Sequence, residues 1–356
     1  MSELERTAGS VIVCGFDGSE PPQEIRRSLG AQTVAGLILF SRNIEDIDQT
    51  AALIATCHAV SSASAPILVS VDQEGGRVAR FGDPVLRLPS MRTLASAGDT
   101  QLTRDAARVL GQQLRAIGIN LDFAPVLDVD TNPLNPVIGD RAFGGTPETV
   151  IEHALAFADW LHQGGVLSCG KHFPGHGDTD LDSHLALPRL RHDRARLEDV
   201  ELAPFRAAAG VLPSLMTAHV VFEQVDPSVP ATMSRKAITD LLRNEIGFEG
   251  AVFSDDLEMK AVSDRYSIEE AGVLAIEAGC DILLVCSDLE AAARLRDTLA
   301  REAGRSTAFE TRLSEARRRA DALRGRIADL PPAIDLGNAL HGREARAVSE
   351  RLRQLA

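Results

Sequence analysis

The eighteen residues KHFPGHGDTDLDSHLALP, from Lys171 to Pro188, hold three histidines, three aspartates and a lysine. Imidazoles and carboxylates are the side chains that move protons near neutral pH and that ligate zinc or iron. A solvent loop with no chemical task has no need for such a set. Two chemistries could use it. In glycoside hydrolysis a carboxylate attacks the anomeric carbon while a proton donor across the bond releases the leaving oxygen. In metal-assisted hydrolysis His172, His176, His184 and nearby aspartates would be ligands. A metal barrel would be expected to start its ligand set with an H-x-H at the first strand, and the first apolar run here ends Gly15-Phe16-Asp17. The metal reading therefore lacks its expected pattern. Pro174, Gly175 and Gly177 predict a fixed, tightly turned path, which is how a loop holds reactive groups in register.

Further polar residues close apolar runs elsewhere in the chain. One run ends at Asp72 and continues QEGGRVAR to Arg80; another ends at Asp128 and leads through Asp130 to Asp140-Arg141. Others end at Lys171-His172, at His219 and at Ser254-Asp255-Asp256. Asp255 is placed to act as a nucleophile facing the 171–188 loop, although strand alternation alone does not separate it from Asp256. His176 and His219 read as hydrogen-bonded supports rather than reactants. Arg42-Asn43 show nothing that distinguishes them from ordinary surface.

The elements that must position these groups are short β-rich runs at 11–16, 36–40, 67–72, 120–128, 167–173, 214–220, 251–255 and 281–286. Most are continuous apolar runs, the pattern of parallel strands buried on both faces. Helical spacing lies between them, for example at 47–59, 102–116, 147–162, 195–208, 235–245, 268–278 and 289–302. Eight such alternations over some 300 residues predict a closed (β/α)8 TIM barrel. Its active site then lies at the C-terminal strand ends, where the polar residues above collect. No G-x-G-x-x-G follows the first run, which weighs against a dinucleotide site. One domain, 1–356, is expected, with the barrel at about 11–305. Residues 306–356 read as a helical C-terminal extension, broken at Pro331-Pro332, packing on the barrel's outside.

A balance of 37 basic against 51 acidic residues, formally −14, disfavours nucleic acid and anionic membrane partners, which need clustered positive charge. The one basic stretch, Arg312 to Arg326, reads as a solvated amphipathic helix. The N-terminus lacks the basic and apolar regions of an export signal, and no run approaches a membrane span, so a cytoplasmic protein is expected. Five scattered cysteines show no CxxC spacing, and most sit in apolar runs as small core residues.

KHFPGHGDTDLDSH, DQEGGRVARF (72–81), VIGDRAFG (137–144), MTAHV (216–220) and FSDDLEM (253–259) resemble the motifs of glycoside hydrolase family 3. More closely, they resemble those of its single-domain bacterial β-N-acetylglucosaminidases of cell-wall recycling. The resemblance runs from about Val11 to Leu284, with the motifs in the family's order; Ala251 and Glu258 depart from its usual choices. It implies Asp255 as the nucleophile, His184 as general acid and then base, and Asp182 as the residue that orients His184. An imidazole titrates close to neutrality and so suits both half-reactions. It also implies that Asp72, Arg80, Arg141, Lys171 and His172 bind the hydroxyls of a terminal N-acetylglucosamine, with no metal and no cofactor. The implied substrate is a small carbohydrate, an N-acetylglucosaminyl muropeptide. Aryl sugars with and without the acetamido group would separate this reading from a β-glucosidase, and dependence on phosphate would separate it from a phosphorylase. A glycan-binding barrel without turnover is the reading from outside enzymology.

Overall fold

The computed structural model describes residues 2–61 and 66–355. All eight apolar runs contain strands: β1 (Ile12–Cys14), β2 (Gly36–Leu39), β3 (Leu68–Val71), β4 (Leu121–Asp122), β5 (Leu167–Phe173), β6 (Ser214–Thr217), β7 (Ala251–Asp256) and β8 (Ile282–Val285). Each pairs in parallel with its neighbour, and β8 closes on β1 through Ile12↔Leu283 and Cys14↔Val285, giving a (β/α)8 barrel. Side chains alternate between two apolar layers, as the pleat requires. Ile12, Cys14, Val69 and Val71 pack outward against the helices. Val13, Leu68, Leu121, Phe123 and Phe253 fill the lumen, where the two phenylalanine rings meet edge to face at 5.3 Å.

β4 is shorter than its apolar run because Pro125 has no N–H to offer the ladder. Beyond it the chain touches β5 again at a single bridge, Val126 to Lys171. A helix at Gln23–Gly30 follows β1, and a two-residue parallel ladder joins Arg189–Leu190 to Val221–Phe222; neither was evident from periodicity.

The C-terminal extension divides. Leu336–His341 and Arg343–Arg353 pack outside the barrel against Thr100–Ile117, as expected. Thr307–Gly325 instead seals the barrel floor: Ala320 and Leu323 join the lumen's apolar cluster. The basic stretch is correspondingly not a wholly solvated face. Arg312 and Arg319 reach the buried carboxylate of Asp281, which Arg243 also pairs at 2.5 Å.

Candidate active site

Two strand irregularities shape the mouth. Along β5 and β6, Gly170 pairs with Leu215 but Phe173 pairs with Thr217, so β5 carries one extra residue at Lys171-His172. Along β7 and β8, Phe253 pairs with Ile282 but Asp256 with Leu284, so β7 carries one extra residue at Ser254-Asp255. A bulge re-aims side chains that strict alternation would send to opposite faces. Consecutive polar residues thus reach the same opening.

That opening is a cavity of about 270 Å³, whose walls include Asp72, Arg80, Arg141, Lys171, His172, His184 and Asp255. Of the eight residues singled out from the sequence, seven line it. Asp182 stands behind His184 and accepts from its Nδ1 at 2.8 Å and from its backbone N–H at 2.8 Å. Asp256 lines the cavity too, but its Oδ1 already accepts the backbone N–H groups of Glu258 and Cys286. Burial pushes the Asp256 carboxyl up to about 7. Asp255 is less engaged: one oxygen accepts the Asp256 N–H at 2.8 Å, and the other has no protein partner among the described residues. Glu258, the departure noted in the motif, accepts from the N–H groups of Ser287 and Asp288 and so ties the β7 loop to the β8 loop.

One wall is an alternating ladder of charge. Arg80 pairs with Asp72 at 3.1 Å, Asp72 with Lys171 at 2.6 Å, Lys171 with Glu74 at 2.6 Å, and Glu74 with Arg141 at 2.8 and 2.9 Å. Burial works to raise the Glu74 carboxyl, but Arg141 and Lys171 outweigh it and hold it well below the usual range. Asp72 is lowered in the same way, with burial opposed by Lys171 and Arg80. Burial works against the charge on Lys171, and Asp72 and Glu74 reverse that effect and raise it. Glu74 was not singled out from the sequence. Only its burial at 1% exposure and its two cations set it apart.

Behind the wall, His172 donates from Nδ1 to Asp128 at 2.7 Å, which leaves Nε2 toward Arg141 at 3.5 Å. Asp128 is wholly buried, yet His172 keeps it below its ordinary value against the effect of burial. In the sequence Asp128 closes an apolar run, which marks its place but not its partner. Arg42, which the sequence does not distinguish from ordinary surface, lines the cavity: its guanidinium holds the carbonyls of Phe16 and Cys286 and lies 4.6 Å from the Phe40 ring centre. His176 and His219 are buried and hydrogen-bonded at both ring nitrogens, the latter to Thr232 and to the Asp256 carbonyl. His219 thus ties the backbone at Asp256 to Thr232, and His176 joins the hydroxyls of Thr179 and Ser183 within the 171–188 loop. All five cysteines are buried and unpaired, and Cys286 contributes to the cavity wall.

A parallel barrel with carboxylates, a carboxylate-held imidazole and a charged wall gathered at its C-terminal mouth is built as a barrel enzyme. The glycosyl hydrolase family 3 N-terminal domain matches residues 3–319. A β-hexosaminidase of Alkalilimnicola ehrlichii is 42% identical over 287 residues, 79% of this chain and 81% of that protein. A glycoside hydrolase family 3 β-N-acetylglucosaminidase from Paenibacillus sp. str. FPU-7 has the same fold with a TM-score of 0.93 and 40% identity, covering 100% of this chain and 69% of that one. NagZ from Neisseria gonorrhoeae, solved in complex with N-trifluoroacetyl-D-glucosamine, gives a TM-score of 0.82 at 34% identity, with 98% of each chain covered. The chain belongs to glycosyl hydrolase family 3 and is a glycoside hydrolase.

Proposed function

We propose that the enzyme is a retaining exo-β-N-acetylglucosaminidase. It removes terminal β-linked N-acetylglucosamine from peptidoglycan-derived muropeptides during cell-wall recycling in the cytoplasm. The observation that carries this reading is a small cavity lined by both Asp255 and His184, with Asp182 holding His184 from behind. In the first half-reaction an Asp255 oxygen bonds to the anomeric carbon as the glycosidic C–O bond breaks. The bonding pair stays on the leaving oxygen, which takes a proton from His184 Nε2. In the second, His184 removes a proton from water, the water oxygen attacks the anomeric carbon, and the Asp255 carboxylate leaves. Asp182 accepts from Nδ1 and so presents Nε2 to the reaction in both steps.

Asp72, Arg80, Arg141, Lys171 and His172 bind the sugar hydroxyls. Their alternating charges supply both donors and acceptors, and their mutual pairing holds them rigid before substrate arrives. The N-acetyl sugar specificity is supported by the β-hexosaminidase and β-N-acetylglucosaminidase relatives and by the N-acyl glucosamine bound to the Neisseria gonorrhoeae protein. Among the described residues no helix is long and apolar enough to cross a membrane.

Turnover of an aryl N-acetyl-β-glucosaminide by wild type and Asp255→Ala, with the matching β-glucoside beside it, tests the reading. Activity on the acetamido sugar alone, lowered about 10⁴-fold or more in the variant, supports it. Equal rates on both sugars, or an unaffected variant, would overturn it. Release of a sugar phosphate on adding phosphate would replace hydrolysis with phosphorolysis.

A further inference from the structure

His184 is 63% exposed, on a loop whose neighbouring Leu181 and Leu185 are also exposed, yet general acid catalysis requires it to be held to within fractions of an ångström. The next residue back, Ser183, is the opposite: 2% exposed and tethered on both sides. Its hydroxyl lies 3.0 Å from His176 Nε2, and its carbonyl accepts the Ala261 N–H at 3.2 Å, from the segment that follows β7.

His176 is itself fixed. Its backbone N–H donates to Asp128 Oδ1 at 2.7 Å, the carboxylate that also holds His172. The Thr179 hydroxyl donates to the His176 carbonyl and lies 2.7 Å from Nδ1, so Nδ1 carries the proton and donates to that oxygen. Nε2 is then the acceptor for the Ser183 hydroxyl. Burial, aided by His172, pushes His176 down to about 4, which keeps the ring neutral near pH 7. Asn135 adds a brace from the neighbouring loop, donating to the His176 carbonyl at 2.8 Å.

We infer that Ser183, clasped by His176, is a positioning residue that sets His184 against the leaving oxygen, and that the clasp is rooted through Asp128 in the wall that binds the sugar. This rests on the assignment of His184 as the acid. Ser183 touches no reacting atom; it acts through the residue beside it. The signature of such a role is dependence on the leaving group. A phenoxide must be protonated as it leaves, whereas a 2,4-dinitrophenoxide leaves unaided.

The test is kcat/KM, which reports the first half-reaction, on phenyl and 2,4-dinitrophenyl N-acetyl-β-glucosaminides for wild type, His184→Ala and Ser183→Ala. His184→Ala is expected to lose about 10²-fold or more on the phenyl substrate relative to the activated one, and Ser183→Ala about tenfold in the same sense. Thermal unfolding of Ser183→Ala near that of wild type accompanies this result. If His184→Ala shows the contrast while Ser183→Ala loses equally on both substrates, or on neither, the clasp has no positioning role and the inference is overturned. If His184→Ala shows no contrast, the acid assignment fails first and the inference with it.

Discussion

Glu74 has 1% exposure and sits between a bidentate Arg141 and the Lys171 ammonium, so removing it takes the carboxylate from buried Arg141 and leaves Lys171 with Asp72 alone of its two. Glu74→Ala should cost about 3–5 kcal/mol in denaturant unfolding, the usual penalty for orphaning one side of a buried pair, and should raise KM for the sugar as Arg141 and Lys171 lose their orientation. Asp122 gives a prediction of opposite sign. It is wholly buried and pushed by burial up to about 8 from 3.8. The native state therefore keeps a proton that the unfolded chain loses, and this group makes stability fall as pH rises across that window. Asp122→Asn removes its contribution, so the stability of the variant relative to wild type should increase between pH 5 and pH 8 in urea unfolding. Asp256, raised for the same reason, leaves a residual slope in the variant. Asp72, Lys171 and the Asp255-Asp256 pair stand out in the sequence because each closes an apolar run, and the family resemblance is what points to Asp255 within its pair. The roles of Glu74 and Asp128 are not legible there, because what distinguishes them is burial and partnership, and neither leaves a trace in residue type or spacing.

The strands were legible because both of their faces are buried and an unbroken apolar run is the result. The bulges were not, and they bring Lys171 with His172 and Asp255 with Asp256 to one opening. An extra residue in a ladder is a property of two strands together. The 171–188 loop was legible in composition and in its turn residues, but its bracing was not. Thr131 donates to Asp178 at 2.8 Å, Asn132 to the Thr179 carbonyl at 3.1 Å, and Asn135 to the His176 carbonyl, joining it to the loop after β4. Gly177 marks the closest approach: a Cβ there would meet the Val129 carbonyl oxygen at 1.9 Å. Gly177→Ala must therefore push the loops apart. Its kcat/KM is expected to fall by about 10²-fold, as for a misplacement of about 1 Å, with hydrogen exchange quickening across 176–186. A variant with unchanged rate and protection would contradict the bracing described.

At the scale of the molecule the barrel is chemistry at one end and closure at the other. Thr307–Gly325 supplies the floor, with Leu323 in the lumen cluster and Arg312 on Asp281. Its sequence showed an amphipathic helix but not the surface its apolar stripe would cover, since any barrel face could have accepted it. Leu323→Ala should cost about 2–5 kcal/mol through the cavity it leaves, with kcat and KM of the folded enzyme unchanged because the mouth lies at the other end. The proposed nucleophile lies at that mouth, and trapping a glycosyl-enzyme identifies it by its covalent bond. A 5-fluoro N-acetylglucosaminyl fluoride combines a good leaving group with a ring fluorine that slows breakdown of the glycosyl-enzyme. Peptide mapping by mass spectrometry after incubation should place one sugar on Asp255, within Ala251–Asp256. A sugar on Asp256 or elsewhere, or turnover of the reagent with no covalent species at any time, would contradict the account.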